Sequence, residues 1–343
     1  MHDVAIIGGG VLGLFAAAAA AARDLDVVCL EAGEPLAGQS RGEGRIFRTA
    51  HEQPELCELA LRAAPRWAEC ERSAGAPLLD RCGLAVLGET AEARHAAMRA
   101  SGAESALAGF GELGDRLPQM RRDDDVPMLW DPAGASIRTA VLGRWLRGLL
   151  AGRLRTAAPV RAATRVASGW SLDTPGGPVA ARAVGACAGT DAPAVAAMLG
   201  VELPDWAGVQ RTLRLTFARS DTRPAPCVID RAGEAGSYSL PTADGYSVGI
   251  VGSEFEPEVG GIDDEQFREH SAAACRRYAR ERLVGVGPEI VAEVTCEVPV
   301  SPLLADDGGW SIVGDGDAVV LVALNAYKFA PLIGDDLIAA LGH

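Results

Sequence analysis

Three glycines and one glutamate near the start of the chain have the spacing of a phosphate- and ribose-binding site. Gly8, Gly10 and Gly13 form the pattern G-x-G-x-x-G, and Glu31 follows about 20 residues later. Gly8 allows a tight turn, Gly10 lets the backbone approach a pyrophosphate, and Gly13 lets a helix pack closely on a strand. Glu31 can accept hydrogen bonds from a ribose diol. Because the same carboxylate repels a 2′-phosphate, the motif disfavours NADP.

The elements around these residues complete the pattern. Residues 3–7 form an apolar run typical of a buried parallel strand, residues 14–23 an alanine-rich helix, and residues 27–30 a second strand. The N-terminus of that helix offers N–H groups and a positive dipole end to phosphates. The sequence therefore predicts a β-α-β unit that binds a dinucleotide. NAD and FAD both fit, and the position at the very start of the sequence favours FAD.

A single lysine, Lys328, stands among many arginines in a chain with 32 basic residues. The compact ammonium of lysine cannot be exchanged for a planar guanidinium in a tight pocket. Lys328 is therefore a candidate site residue, although chance survival on the surface would also explain it.

Composition limits the classes of function. A net charge of −14 with interspersed charges argues against nucleic acid binding. Because the sequence lacks both a run of about 20 apolar residues and room for a signal peptide, we expect a cytoplasmic protein that does not enter membranes. The eight cysteines and five histidines lack metal-ligand spacing, and no metal is predicted.

The order of elements predicts an α/β (α+β) fold in which a Rossmann-type FAD-binding domain is interleaved with a mostly antiparallel substrate domain. Residues 1–80, 135–205 and 300–343 are assigned to the FAD-binding domain, and residues 81–134 and 206–299 to the substrate-binding domain. Residues 91–113 are predicted to be helical and residues 158–161 to form a strand. With one phosphate motif in 343 residues, a flavin reduced directly by its substrate is the simplest interpretation.

Three further motifs carry a resemblance that extends over nearly the whole chain. They are G-Q-S-R-G-E-G-R-I-F-R at 38–48, V-T-C at 294–296 followed by Pro302, and L-N-A-Y-K-F at 324–329. With them the chain resembles the sarcosine oxidase and N-methyltryptophan oxidase branch of the D-amino acid oxidase-like flavoproteins.

The resemblance implies roles for particular residues. Cys296 is expected to form a thioether to the 8α-methyl group of FAD, with a plain strand cysteine beside non-covalent FAD as the alternative. Arg48 and Lys328 are expected to bind the substrate carboxylate, although Arg48 could instead form a surface ion pair. Arg45 is expected close to the flavin and Tyr238 in the active site, unless Tyr238 is simply a sheet aromatic. The full set of expected cofactor contacts is Gly8, Gly10, Val11, Leu12, Gly13, Glu31, Ala32, Arg41, Gly44, Arg45, Val160, Gly189, Cys296 and Lys328.

The sequence also departs from the family pattern. The oxygen-activating lysine of the family aligns with Gly249, an active-site histidine with Ser253, and an aromatic residue with Val298. Loss of a cation beside the flavin removes stabilisation of superoxide as it forms. We therefore expect slow oxidation by O₂, with another acceptor possible, and a substrate other than sarcosine.

Together these features predict a flavoenzyme that oxidises the C–N bond of a secondary, cyclic or N-methyl amino acid to an imine, in bacterial specialised metabolism. The alternatives are a flavin dehydrogenase with an acceptor other than O₂ and a catalytically silent flavin-binding subunit. An NAD-dependent dehydrogenase is a third alternative.

Overall fold

The computed structural model describes residues 1–121, 126–204, 206–233, 235–261, 263–301 and 308–343. Its strands are β1 (His2–Ile7), β2 (Val27–Leu30), β3 (Arg45–Phe47), β4 (Leu79–Asp80), β5 (Leu84–Gly88), β6 (Ala106–Gly109), β7 (Pro127–Asp131), β8 (Ala135–Ile137), β9 (Leu154–Arg155), β10 (Ala162–Val166), β11 (Gly169–Asp173), β12 (Val179–Ala186), β13 (Gly208–Arg219), β14 (Cys227–Arg231), β15 (Gly236–Pro241), β16 (Tyr246–Val251), β17 (Val286–Val300), β18 (Gly309–Asp315) and β19 (Ala318–Leu324). Its α-helices are α1 (Val11–Ala21), α2 (Pro54–Ala74), α3 (Ala91–Ala100), α4 (Phe110–Leu113), α5 (Thr139–Leu149), α6 (Ala192–Leu199), α7 (Asp264–Arg282) and α8 (Ala330–Ala340), and short 3₁₀ turns cover Gly114–Arg116, Gly189–Asp191 and Tyr327–Phe329.

The first compact unit comprises residues 1–41, 140–209 and 297–343. In its sheet β1 lies between β2 and β12, all three strands are parallel, and β9 and β19 continue the parallel arrangement. β10, β11 and β18 are attached antiparallel to it. β2 is buried along its whole length, which explains why its residues are apolar at every position rather than alternating.

Helices α1 and α8 pack against each other in this unit. A Cβ added to Gly334 of α8 would lie 2.7 Å from backbone atoms of Phe15 in α1. Only glycine permits this approach, and the alanines of α1 from Ala16 to Ala21 keep the side chains of that part of the helix small.

The second compact unit comprises residues 42–139 and 210–296. Its large sheet has the order β17-β13-β16-β15-β14-β5-β7-β6, and a small sheet has the order β3-β8-β4. Neighbours from β13 to β14 are antiparallel, whereas β14 and β5 run parallel. One face of the large sheet carries Leu213, Leu215 and Val248, which share a buried core with Phe267 and Cys275 of α7.

The predicted α/β class with an interleaved antiparallel part is confirmed, as are the first strand, helix and second strand. Two local predictions are wrong. Residues 91–113 contain α3, β6 and α4 rather than one helix, because Gly102 at φ +76° ends the first helical segment. Residues 158–161 form no strand, and the chain pairs just beyond them as the hairpin β10–β11. Residues 42–80, assigned from sequence to the FAD-binding domain, group with the second unit by contacts.

Candidate functional site

The carboxyl end of β1 is the expected place for a dinucleotide in the first unit. Its neighbours β2 and β12 lie on opposite sides, and such a switch point opens a crevice at the strand ends. Gly8 follows the strand at φ +105°, and a Cβ there would lie 2.4 Å from the carbonyl oxygen of Cys187. Glycine is therefore the residue that fits this turn.

The N-terminus of α1 follows directly. Its N-cap residue is Gly10, which has no side chain to cover the first-turn amides. A Cβ at Gly13 would lie 2.0 Å from the Gly8 carbonyl oxygen, so the helix packs directly on the turn as the sequence predicts. Ser40 Oγ accepts a hydrogen bond from the Val11 N–H at 3.0 Å. Sequence reasoning missed Ser40, although it lies within the 38–48 motif.

The carboxylate of Glu31 holds the glycine loop. Its Oε2 accepts from the Gly9 N–H at 2.5 Å, and its Oε1 accepts from the Gly33 N–H at 2.8 Å. An ionised carboxylate has about four acceptor positions. Glu31 therefore keeps acceptor capacity for a ribose diol in addition to this local role, which the sequence did not indicate.

The remaining predicted cofactor contacts of the first unit are exposed or half-buried residues and one glycine with a left-handed backbone conformation. They are Leu12 (half-buried), Ala32 (exposed), Arg41 (exposed, its Nε donating to the Ala37 carbonyl at 2.9 Å), Val160 (half-buried) and Gly189 (φ +60°). The glycine turn, the open helix start and the acid on the next strand together fit an extended dinucleotide such as FAD.

Lys328 is buried, with 3% of its surface exposed. It lies in the 3₁₀ turn before α8, where its Nζ donates to the Asn325 carbonyl oxygen at 2.5 Å and lies 4.6 Å from the ring centroid of Phe329. Asn325 itself adopts φ +48°, a conformation that asparagine tolerates better than most residues. The lone lysine is therefore not a surface residue retained by chance.

In the second unit, the 38–48 motif ends in β3 and the turn after it. Gly44 adopts φ +77°, and its N–H donates to Thr139 Oγ1 at 3.2 Å. Arg45 is half-buried and donates to the Gly44 carbonyl at 2.8 Å. Arg48, also half-buried, is the first residue after β3.

The turn that follows Arg48 is fixed by a buried carboxylate. Asp131 Oδ2 accepts from the N–H groups of Thr49 at 2.7 Å and Ala50 at 3.0 Å, and its Oδ1 accepts from Ala133 at 3.0 Å. Burial raises the pKa of Asp131 against the opposing effect of these hydrogen bonds. From the other side, the buried Arg94 donates to the Ala50 carbonyl at 2.8 Å. The position of the Arg48 backbone is thus determined by neighbours that sequence reasoning did not single out.

One row of the large sheet crosses three strands. The register pairs Arg214 with Gly249 and Gly249 with Tyr238, so the three residues lie on one face. A Cβ at Gly249 would lie 2.4 Å from Tyr238 Cζ, which means that the phenol ring covers this glycine. Burial raises the pKa of Tyr238. The phenol is therefore protonated at neutral pH.

Arg214 is the functional candidate that the sequence analysis missed. It is 6% exposed, and it donates to the carbonyl oxygens of Gly44 at 3.1 Å and Glu43 at 2.8 Å. Burial and the nearby charge of Arg45 lower the pKa of Arg214 to about 10. The guanidinium thus stays charged at neutral pH inside the protein.

Cys296 lies in β17 and is half-buried. It is close enough to Arg214 for the two groups to interact electrostatically, as are Arg45 and Tyr238. The structure therefore gathers three predicted residues of the second unit, Arg45, Tyr238 and Cys296, around Arg214. Pro302 lies outside the described residues. Lys328 belongs to the first unit, and its expected pairing with Arg48 stays a prediction.

Within the described ranges, no group of three or more histidine, cysteine or acidic side chains is arranged to hold a metal ion. Over the same part of the chain, no helix combines the length and apolarity needed to cross a bilayer.

Comparison with known proteins gives a consistent result. Residues 3–341 match the family described as FAD dependent oxidoreductase. A sarcosine oxidase homologue of Caenorhabditis elegans is 31% identical over 140 residues, which is 40% of this chain and 36% of that protein. The chain thus aligns with little more than a third of the length of this relative.

Solved structures with the same fold cover nearly the whole chain. NikD, an amino acid oxidase of nikkomycin biosynthesis, has a TM-score of 0.82 at 20% identity, with 99% of this chain and 93% of NikD covered. L-proline dehydrogenase from P. horikoshii has a TM-score of 0.79 at 16% identity, covering 98% and 92% of the two chains. Glycine oxidase from Geobacillus kaustophilus has a TM-score of 0.77 at 23% identity, covering 99% and 94%.

Proposed function

Because this chain belongs to the family of FAD-dependent oxidoreductases, we propose that it oxidises the C–N bond of a secondary, cyclic or N-methyl amino acid to an imine. Three of the proteins of similar fold or sequence have names that state glycine, proline or sarcosine as the substrate, and a fourth is named for iminodiacetate. The observation that carries the proposal is the burial of Lys328, the one lysine of the chain. A buried positive charge attracts an anion strongly at low effective dielectric, which is what binding of a substrate carboxylate requires.

In the proposed mechanism, Lys328 and Arg48 bind the carboxylate as a point charge and a planar fork. Two cations favour loss of the proton from the substrate ammonium on binding, so the amine is neutral when it reacts. FAD held at this site would supply a hydride acceptor for the carbon next to the nitrogen. The Asp131 and Arg94 contacts around residues 49–50 keep the backbone beside Arg48 in a single position.

Cys296 is proposed as the covalent attachment point of FAD. With FAD bound, Cys296 would hold it through a thioether between its sulfur and the 8α carbon. This bond would replace one S–H and one C–H bond, and the two electrons and two protons released would go to the electron acceptor of the enzyme. Acid precipitation tests this: a yellow pellet whose mass includes FAD is expected from the wild type and from Cys70→Ser, and a colourless pellet from Cys296→Ser.

The activity is tested by mixing the holoenzyme anaerobically with panels of cyclic, secondary and N-methyl amino acids. Bleaching of the visible flavin band is the expected result. Lys328→Met should raise the KM of a reactive amino acid by about 10- to 100-fold, the value of a hydrogen bond to a charged group. Lys328→Arg should not restore it, because a guanidinium does not fit where an ammonium is enclosed. Arg66→Gln, in an exposed ion pair on α2, serves as control. The proposal fails if no amino acid bleaches the flavin.

Gly249 favours a second candidate, a dehydrogenase that passes electrons to a carrier other than O₂. The place of the cation expected from the family is taken by a glycine covered by the Tyr238 ring. Stopped-flow mixing of the reduced enzyme with oxygen separates the two functions, since fast reoxidation would exclude the dehydrogenase.

A further inference from the structure

Arg214 differs from three other buried or half-buried arginines of the second unit. Arg94 has the carboxylate of Glu52 at 2.7 Å, Arg219 has Asp221 at 3.0 Å, and Arg282 has Asp230 at 3.3 Å. In the described part of the chain, no carboxylate oxygen lies within 4.0 Å of the Arg214 guanidinium, although Arg214 is more than nine-tenths buried. A buried charge without a counter-ion is strongly unfavourable, so such a residue requires a reason.

The hydrogen bonds of Arg214 use only part of its donor capacity. A guanidinium has five N–H donors in a planar fork. Within the described ranges Arg214 makes two hydrogen bonds, both to backbone carbonyls, and its Nε is buried with no acceptor. Backbone carbonyls carry partial charges only, and the charge of Arg45 repels Arg214 more than that of Glu43 attracts it. The site around Arg214 is therefore deficient in negative charge.

The face on which Arg214 lies is the one opposite α7, and it carries polar side chains next to a separate apolar cluster that includes Ile229 and Leu240. Alternate residues of the same strands, Leu213 and Leu215, enter the buried core with α7, whereas Arg214 shares its row with Gly249 and Tyr238. On that face Thr216 and Ser247 also bond each other at 2.6 Å. Arg214 thus shares this face with Tyr238 and interacts electrostatically with Cys296, the residues of this unit proposed above for the active site and the cofactor.

We propose that Arg214 is a further catalytic residue that, together with Arg45, binds a planar anion in the active site. The inference rests on the proposed function. Two anions of that site have the required chemistry: the carboxylate of the substrate, and the flavin ring when two-electron reduction gives it a negative charge. Both present adjacent acceptor atoms to a guanidinium fork.

The test uses sulfite and benzoate as probes of the purified holoenzyme, with no turnover. Sulfite adds to the oxidised flavin ring and leaves a negative charge on it, whereas benzoate supplies only a carboxylate. Arg214→Gln should raise the Kd of at least one probe by about 10- to 100-fold, the value of hydrogen bonds to a charged group. A change in sulfite affinity alone assigns Arg214 to the flavin anion, and a change in benzoate affinity alone assigns it to the carboxylate.

Two variants separate charge from structural support. Arg214→Lys retains the charge but not the planar fork, so its Kd values should lie between those of wild type and those of Arg214→Gln. Arg219→Gln removes an arginine from the same strand that already has a carboxylate partner, and it should leave both probes unchanged. Unchanged Kd values in Arg214→Gln, with only a lowered unfolding midpoint, would overturn the proposal and leave Arg214 as a support for residues 43 and 44.

If Arg214→Gln does not retain FAD, the Kd values of sulfite and benzoate are measured with Arg214→His instead. Its imidazole is charged at acidic pH and neutral at alkaline pH. The Kd of Arg214→His divided by that of wild type at the same pH should rise about tenfold as the imidazole loses its proton. If this ratio of Kd values does not change with pH, the proposal is contradicted. Sulfite binding without any amino acid that bleaches the flavin would refute the proposed substrate class but leave the anion site standing.

Discussion

The close approach of Tyr238 to Gly249 can be tested by adding a methyl group at residue 249. A Cβ at residue 249 would lie 2.4 Å from Tyr238 Cζ and 2.5 Å from its Oη. Ordinary carbon contacts lie at about 3.5–4.0 Å, so Gly249→Ala requires the ring to move by about 1 Å. Both strands are held by the β15–β16 ladder, which leaves the side chain as the part that shifts. Overpacking of this kind typically destabilises by about 1–3 kcal/mol.

Urea denaturation followed by circular dichroism measures this effect. Gly287→Ala is the matched control, because Gly287 also lies in a strand of this unit and its added Cβ would meet its nearest atom at 3.7 Å. That control should be neutral or stabilising by up to about 1 kcal/mol, since alanine restricts the unfolded chain.

A double-mutant cycle then tests whether the Tyr238 ring causes the loss of stability in Gly249→Ala. Tyr238→Ala removes the clash, so adding Gly249→Ala to it should cost about 1–3 kcal/mol less than in the wild type. If Gly249→Ala behaves like Gly287→Ala and the coupling energy is zero, the Tyr238 ring does not cover Gly249.

Three further predictions concern other parts of the chain. Asp131→Ala should lower the free energy of unfolding by about 3–5 kcal/mol in urea melts, because two buried backbone N–H groups and a partly buried one lose their acceptor, and Asp131→Asn should lower it less. Although burial raises the pKa of Glu71, hydrogen bonds from Arg81 and from the backbone hold it below its usual value. The stabilisation from Glu71 is therefore present above the ordinary glutamate pKa of about 4.3 and is lost as the pH falls below it, so Glu71→Gln should flatten the acid side of a plot of Tm against pH. Gly148→Ala, at an exposed position of α5 with no atom within 4 Å, should raise the free energy of unfolding by about 1 kcal/mol in the same urea assay.

The parts of the site that could be predicted from the sequence are those determined by local spacing. The turn at Gly8 and the packing of Gly13 follow from residues a few positions apart, and both appear where the motif indicates. Lys328 was identified from composition, and its burial agrees with that interpretation. Ser40 was missed because a hydroxyl that caps a helix 29 residues earlier in the chain leaves no periodic signal.

Arg214 was missed for a different physical reason. Its importance depends on the register of β13, β16 and β15, which places residues 214, 249 and 238 side by side. Register is determined by turn geometry and by which face of each strand is buried, and a shift of one residue would move Arg214 into the core with α7. In the sequence Arg214 is one arginine among many, and only the strand pairing distinguishes it from Arg211 or Arg219.

The net charge of the whole chain is negative, whereas the charge around Arg214 is positive. The charge around Arg214 determines what binds there. At −14 the protein as a whole repels anions. Exposed charges, however, are screened over about 8 Å at physiological ionic strength, whereas buried groups interact with little screening. Arg214 is buried beside Arg45, and no carboxylate of the described residues lies within ion-pair distance of it. An anion in contact with this pair therefore experiences two nearby positive charges at low effective dielectric and only a weakened field from the distant acidic surface. The acidic surface affects how often an anion arrives, and the arginines determine how tightly it is held.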